Sequence, residues 1–173
     1  PLSSRILVDE IYSKTGNTSA LTIDSSGRVQ MPVVPAWRVG LTGNQTNTTA
    51  GSDVQIVYND SNTNNCFLQG GVTLSSGIIT VPIAGVYHVN MSARIDFVGS
   101  GYIIAKIKRN NIDSDNSDTY IIAGSPSSNY ENLTGSDVFK CDANDNFRVT
   151  VYSDSDTSWN MNSNTLFSGH LVG

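Results

Sequence analysis

The sequence predicts an all-β sandwich of two sheets, on three observations. Only 14% of its 173 residues are charged; the polarity comes from Asn, Ser, Thr and Asp, which form turns and compete poorly for helix interiors. No window of about 11–18 residues repeats its apolar positions at the helical period. About ten short β-type runs recur at spacings of roughly 8 to 15 residues, the rhythm of a two-sheet jelly roll.

Residues 1–34 form an arm of different character. Ile6-Leu7-Val8, Ala20-Leu21-Thr22-Ile23 and Val29-Gln30-Met31 are short β-type runs, split by turn signals at Thr15-Gly16-Asn17 and Ser25-Ser26-Gly27. Strands this short bury too little apolar surface to stand alone in water. Ile6, Val8, Leu21, Ile23 and Val29 are therefore expected to pack on the following domain, on further copies of the arm or on another protein. Met31-Pro32-Val33-Val34-Pro35 is an extended, stiff boundary, and residues 35–173 form the domain proper.

Ala36–Leu41 opens that domain, with Trp37, Val39 and Leu41 on one face and Arg38 on the other. Gly43–Ser52 reads as a polar loop, Val54–Tyr58 as the next strand and Asn59–Asn65 as a turn. Phe67-Leu68, Val72–Leu74 and Ile78–Val81 are short strands. Pro82 cannot donate to a ladder and ends the last of them, and Gly85 offers a permissive backbone for the corner that follows. Beyond it Tyr87, Val89, Met91 and Ala93 alternate with His88, Asn90 and Ser92, the pattern of a central strand. Tyr102–Arg109, Tyr120–Ala123, Asp137–Cys141, Phe147–Tyr152 and Leu166–Val172 complete the set, with loops at Asn110–Thr119, Gly124–Asn129 and Ser153–Ser158.

Four pieces of this order carry a resemblance. The closing Phe167-Ser168-Gly169-His170-Leu171 has the form F-S-G-x-L, and Ile79-Thr80-x-Pro82-x-x-Gly85-Val86-Tyr87 the form (F/I)-T-x-P-x-x-G-V-Y. Phe139-x-Cys141-x-x-Asn144-Asp145-x-Phe147 stands where L-x-L-x-x-G-D-x-V is expected, with Asn144 in the place of Gly as the usual non-Gly residue at positive φ. Ile103–Asn111 supplies a middle strand and an N-G-like turn. Over roughly Pro35–Gly173 the chain resembles the C1q/TNF-like jelly roll. The resemblance implies a homotrimer in which the sheet of first, last and central strands faces two other subunits. His88, Asn90, Ser92, Ser168 and His170 are then expected at or near a three-fold axis, the alternative being an ordinary half-exposed strand face. The arm pattern V-D-x-I…G-N-T-x-A-L-x-I-D-x-x-G-x-V resembles N-terminal segments of phage fibre and other virion-surface proteins.

The charge balance restricts partners. A net charge of −5 argues against nucleic-acid phosphates and anionic lipid. In the one basic cluster, Lys106 and Lys108 share a strand face beside Arg109, and that face is expected to be solvated. No run of about 18 apolar residues offers a membrane span, and no basic segment followed by an apolar one marks a signal peptide. A start at Pro1 accords equally with loss of an initiator Met after cytoplasmic synthesis and with an artificial boundary. Two cysteines are too few for a disulfide scaffold: Cys141 reads as a small core residue, Cys66 as surface-directed, and a bridge between them is left open. Asp154-x-Asp156 and Asp113-x-Asp115 could converge on Ca²⁺ but lack the Gly and distal Glu of an EF-hand loop, so solvated acidic loops are expected, with no metal or cofactor.

No nucleophile–His–carboxylate arrangement, Gly-rich phosphate loop or H-E-x-x-H occurs, and no enzyme is expected. These readings converge on a trimeric structural knob at the surface of a bacteriophage virion, made in the host cytoplasm. It would be a capsid decoration, cement or head-fibre protein whose arm binds the major capsid protein or another virion protein. One alternative is a tail-fibre tip that meets host-surface glycan through polar loops carrying Trp159, Tyr130, Asp154 and Asp156. Another is a cellular C1q-like recognition ligand, which predicts G-x-y repeats or heptads that the chain lacks.

Overall fold

The computed structural model describes residues 10–12, 19–30, 34–47, 49–63, 65–96, 101–110, 118–123, 130–155 and 158–173. The chain divides into two units, residues 1–34 and 35–173. In the first, β1 (Glu10–Tyr12), β2 (Ser19–Ile23) and β3 (Val29–Gln30) form an antiparallel meander. Asp24 builds the β2–β3 turn. Its carbonyl accepts from the Gly27 amide at 2.8 Å, its Oδ1 accepts from the Ser26 and Arg28 amides, and Gly27 takes φ +77°, a three-residue hairpin closed by a left-handed residue. Leu21 is half-buried, while Ile23 and Val29 are exposed. Ile6 and Val8 lie outside the described residues.

The second unit carries β4 (Ala36–Gly40), β5 (Gln45–Asn47), β6 (Asp53–Gln55), β7 (Phe67–Gln69), β8 (Thr73–Ser75), β9 (Ile78–Thr80) and β10 (Gly85–Asp96). After these come β11 (Ile103–Arg109), β12 (Asp118–Ala123), β13 (Tyr130–Cys141), β14 (Asn146–Ser153), β15 (Trp159–Met161) and β16 (Leu166–Leu171). Among the described residues there is no helix. All pairings are antiparallel. In one sheet β10 has β13 along its whole length on one edge; β16 and then β15 follow each other along the other edge, with β4 and β7 beyond β16 and β5 beyond β15. The second sheet runs β12-β11-β14-β9-β8, with β6 also on β14. Twelve-residue β10 is the axis of the first sheet, as its uninterrupted alternation predicts.

Between the sheets lies a core in which aromatic rings meet face and edge. Trp37 from the first sheet stacks on Phe147 from the second at 5.9 Å between centroids, and Tyr87 and Phe167 flank the indole at 6.2 and 5.9 Å. Tyr87, Val89, Met91, Ala93, Phe139, Cys141 and Phe167 are all buried, the inward set of the period-two reading. Asn144 takes φ +73° in the turn between β13 and β14, the conformation for which glycine was expected.

The structure corrects several local expectations. Gly43–Ser52 is not wholly loop, because Gln45–Asn47 pairs with Trp159–Met161; an edge strand of Gln, Thr and Asn has no apolar alternation to announce it. Gly85 has no positive φ. A Cβ there would stand 2.4 Å from Leu171 Cδ1, so a larger residue would make the tip of that leucine side chain shift. Cys66 is buried, and both cysteines are free thiols.

Lys106 and Lys108 do not share a solvated face. Lys108 is 2% exposed, and both ammonium groups meet Asp53 Oδ2, at 2.6 Å for Lys108 and 3.1 Å for Lys106. Burial works to raise the Asp53 carboxyl, but the hydrogen bonds and charges of the two lysines outweigh it and hold the group below its ordinary range.

Candidate functional site

The face of β10 that turns away from the core, together with its neighbours, forms a continuous surface set by strand register. Across the sheet, one row reads Val138, His88, His170, Ala36 and Gln69. The next reads Ser136, Asn90, Ser168, Arg38 and Phe67, and the third Thr134, Ser92, Leu166 and Gly40. His88, Asn90, Ser92, Ser168 and His170, widely separated in sequence, are thus brought onto one patch as expected.

This patch is nearly free of charge. At one end Arg94 and Asp96 neutralise each other through an Nε–Oδ1 contact of 3.1 Å, and Arg94 lies over the Tyr130 ring at 4.6 Å. Asn162 donates to Asp96 Oδ2 at 2.8 Å; that bond first, then Arg94, holds the carboxyl below its usual range. Arg38 is the one cation in the three central rows. Asn90, Ser92, Thr134, Ser136 and Ser168 join Arg38 around a hollow of about 610 Å³. Around it Val138 and Phe67 are exposed at 57% and 42%, and Val172 beyond His170 at 61%. Apolar side chains left in water beside small neutral polar ones mark a surface suited to burial against protein.

The two histidines meet edge to face, with ring centroids 5.6 Å apart, and Asn90 Nδ2 is 3.4 Å from His88 Nδ1. Neither ring has a serine, cysteine or carboxylate placed as a nucleophile or relay partner at its register neighbours.

Of the proposed ligand-facing residues, Trp159 does not face solvent. Trp159 is fully buried, with its indole N–H donating to the Thr49 carbonyl at 3.4 Å, and cannot stack on a sugar from solution. Its flanking Ser and Asp residues disguised a strand whose buried members, Trp159 and Met161, alternate around Asn160. Tyr130 is exposed, with the Arg94 guanidinium over one face. Asp154 Oδ1 accepts from the Tyr102 amide and the Ser155 hydroxyl at 2.8 and 3.0 Å, a loop-bracing role. Asp156, Asp113 and Asp115 lie outside the described residues.

The sequence reading missed Val138, Thr134 and Ser136 as members of the face. The predicted strand begins at Asp137, so Thr134 and Ser136 fall outside it, and Val138, though inside it, is not assigned to this face.

Comparison with solved structures follows the same architecture. Murine APRIL at pH 5.0 aligns with a TM-score of 0.59 at 11% identity over 80% of this chain and 99% of that one. The globular domain of zebrafish complement 1qA aligns at 0.55 and 18% over 80% and 98%. The fold is the C1q/TNF-like jelly roll. No protein-family model and no curated protein sequence matches the chain. At these identities the likeness establishes the fold alone, so the face described above carries the functional argument.

Proposed function

We propose that the chain is a non-enzymatic binding and structural knob that assembles as a homotrimer through the outer face of the β10 sheet. The observation that carries this reading is the register-built patch itself: three rows with one cation, no carboxylate, and exposed Val138 and Phe67. Removing such a face from water buries Val138 and Phe67 without stripping hydration from a row of charges, and depletion of charge is what marks the core of a subunit interface. A contact between different edges of one face closes into a ring rather than a filament when the rotation is a third of a turn.

The finer reading places the trimer on the surface of a bacteriophage particle as a capsid decoration or head-fibre knob held by the arm of residues 1–34. What supports it is the arm's short meander with Ile23 and Val29 exposed, a surface that asks for a partner, together with the sequence likeness of the arm to virion-surface segments. Three arms on one knob would bind with a shared effective concentration, so a weak single contact suffices.

Sedimentation tests the first part. The expected mass is about 55 kDa, three times the 18.5 kDa of one chain, and Val138→Asp or Ser168→Asp should reduce it to that of the monomer. An unassociated wild-type chain at tens of micromolar would remove the proposal. For the second part, the full chain with Ile23→Asp and Val29→Asp should stay trimeric yet no longer decorate particles seen by electron microscopy.

A further inference from the structure

We infer that His88 and His170 form a two-imidazole chelate for a borderline divalent transition ion, Zn²⁺ or Ni²⁺, on the outer face of the β10 sheet. The chain contains two histidines. The fold places them directly opposite each other on adjacent antiparallel strands although 82 positions separate them in sequence. Both rings stand on the outer side of the sheet, His170 exposed and His88 half-buried.

The geometry is close to what an ion demands. Imidazole nitrogens bind Zn²⁺ at about 2.0–2.1 Å, and two such rings around a tetrahedral ion have centroids about 5 Å apart. The pair here stands at 5.6 Å, edge to face at 80°, a separation that fits a common ion once the rings turn to aim one nitrogen of each at it. Direct cross-strand neighbours are rigidly spaced by the ladder, which removes most of the ordering cost that a flexible pair would meet.

The surroundings permit the ion and orient one ligand. Val138 flanks His88 and Ala36 flanks His170 across the sheet; Val86 and Asn90 flank His88 along its strand, and Ser168 and Val172 flank His170. No lysine or arginine occupies these positions to oppose a divalent charge, and Lys140 and Arg38 are a diagonal step away. Asn90 already has its amide beside His88 Nδ1 at 3.4 Å. Turning that amide about its last bond presents its oxygen to an Nδ1–H, the tautomer that leaves the Nε2 lone pair free for a metal. No group of three or more His, Cys, Asp or Glu residues gathers among the described residues, so one chain supplies two ligands and water or a second chain supplies the rest. Neutral nitrogen donors without carboxylate select Zn²⁺ and Ni²⁺ over Ca²⁺ or Mg²⁺.

The pair is complete within one chain and does not rest on the trimer; if the patch does lie at a three-fold axis, further imidazoles would join the same ion. The test is calorimetric titration of ZnCl₂ or NiCl₂ into the untagged full chain at pH 7.5, with sedimentation of the same samples. Saturable uptake is expected, with affinity falling at least tenfold in His170→Ala and in His88→Gln. His170 is a surface residue, so its variant should keep the wild-type circular dichroism. No uptake by wild type at 1 mM ion, or wild-type affinity in both variants, overturns the inference. A monomer that binds in a His-dependent way sustains the chelate and removes the trimer; a trimer that binds nothing does the reverse.

Discussion

Gly169, in the closing F-S-G-x-L strand, is there because of Trp37. A Cβ built on it would stand 2.4 and 2.5 Å from indole atoms Cζ2 and Cη2 of Trp37 and 2.9 Å from the carbonyl oxygen of His88. Ordinary contacts begin near 3.4 Å, so Gly169→Ala requires the indole to retreat by about 1 Å. It has little room: Trp37 is 1% exposed and packed on Phe147, Phe167 and Tyr87, and the His88 oxygen is ladder backbone. Overpacking costs about 1–3 kcal/mol, and this rigid ring puts the change at the upper end, about 3 kcal/mol. At about 3–4 °C per kcal/mol for a domain of this size, the thermal midpoint should fall by roughly 10 °C at fixed protein concentration. The assay is a double-mutant cycle by thermal and urea denaturation. Trp37→Phe alone leaves a cavity and destabilises by about 1–3 kcal/mol; combined with Gly169→Ala it makes room for the new methyl, so the two losses should fall short of additivity by about 2 kcal/mol. Additive losses, or a Gly169→Ala protein within about 0.5 kcal/mol of wild type, would refute the contact as the reason for the glycine.

Further outcomes follow from the same structure. Burial first, then Asp60 beside Cys66 and Asp145 beside Cys141, keep both thiols protonated, with Cys141 pushed up to about 11. Iodoacetamide at pH 8 should therefore label the native protein slowly and the urea-unfolded protein quickly. Because the raised value belongs to the fold, its stabilisation is intact below the ordinary thiol range near 9 and is lost as pH climbs toward 11; the urea midpoint should drop across that window. Asp53→Asn removes a carboxylate 2.6 Å from the buried Lys108 ammonium and should cost about 2 kcal/mol or more by urea titration. The lowered Asp53 value has the opposite sign to the thiols: its contribution is present above about pH 4 and fades as acid protonates the folded carboxylate. Asn144→Gly should be neutral or slightly stabilising and Asn144→Ala destabilising by about 1 kcal/mol, since φ is +73° there.

What the residues alone determined is what depends on neighbours in sequence. Alternation along β10 assigned Tyr87, Val89 and Met91 inward and His88, Asn90 and Ser92 outward, because a strand's faces follow from its two-residue period whatever it packs against. The Asn144 turn was readable for the same local reason. The tertiary structure decided whatever depends on which strand lies beside which. Trp159 became core because β15 continues along the edge of β10 that β16 leaves open. Lys108 became buried because β6 carries Asp53 to it from 55 positions away. Val138 joined the candidate interface because β13 pairs with all twelve residues of β10. Pairing between distant strands is set by the summed burial of both sheets, and no stretch of chain contains that sum.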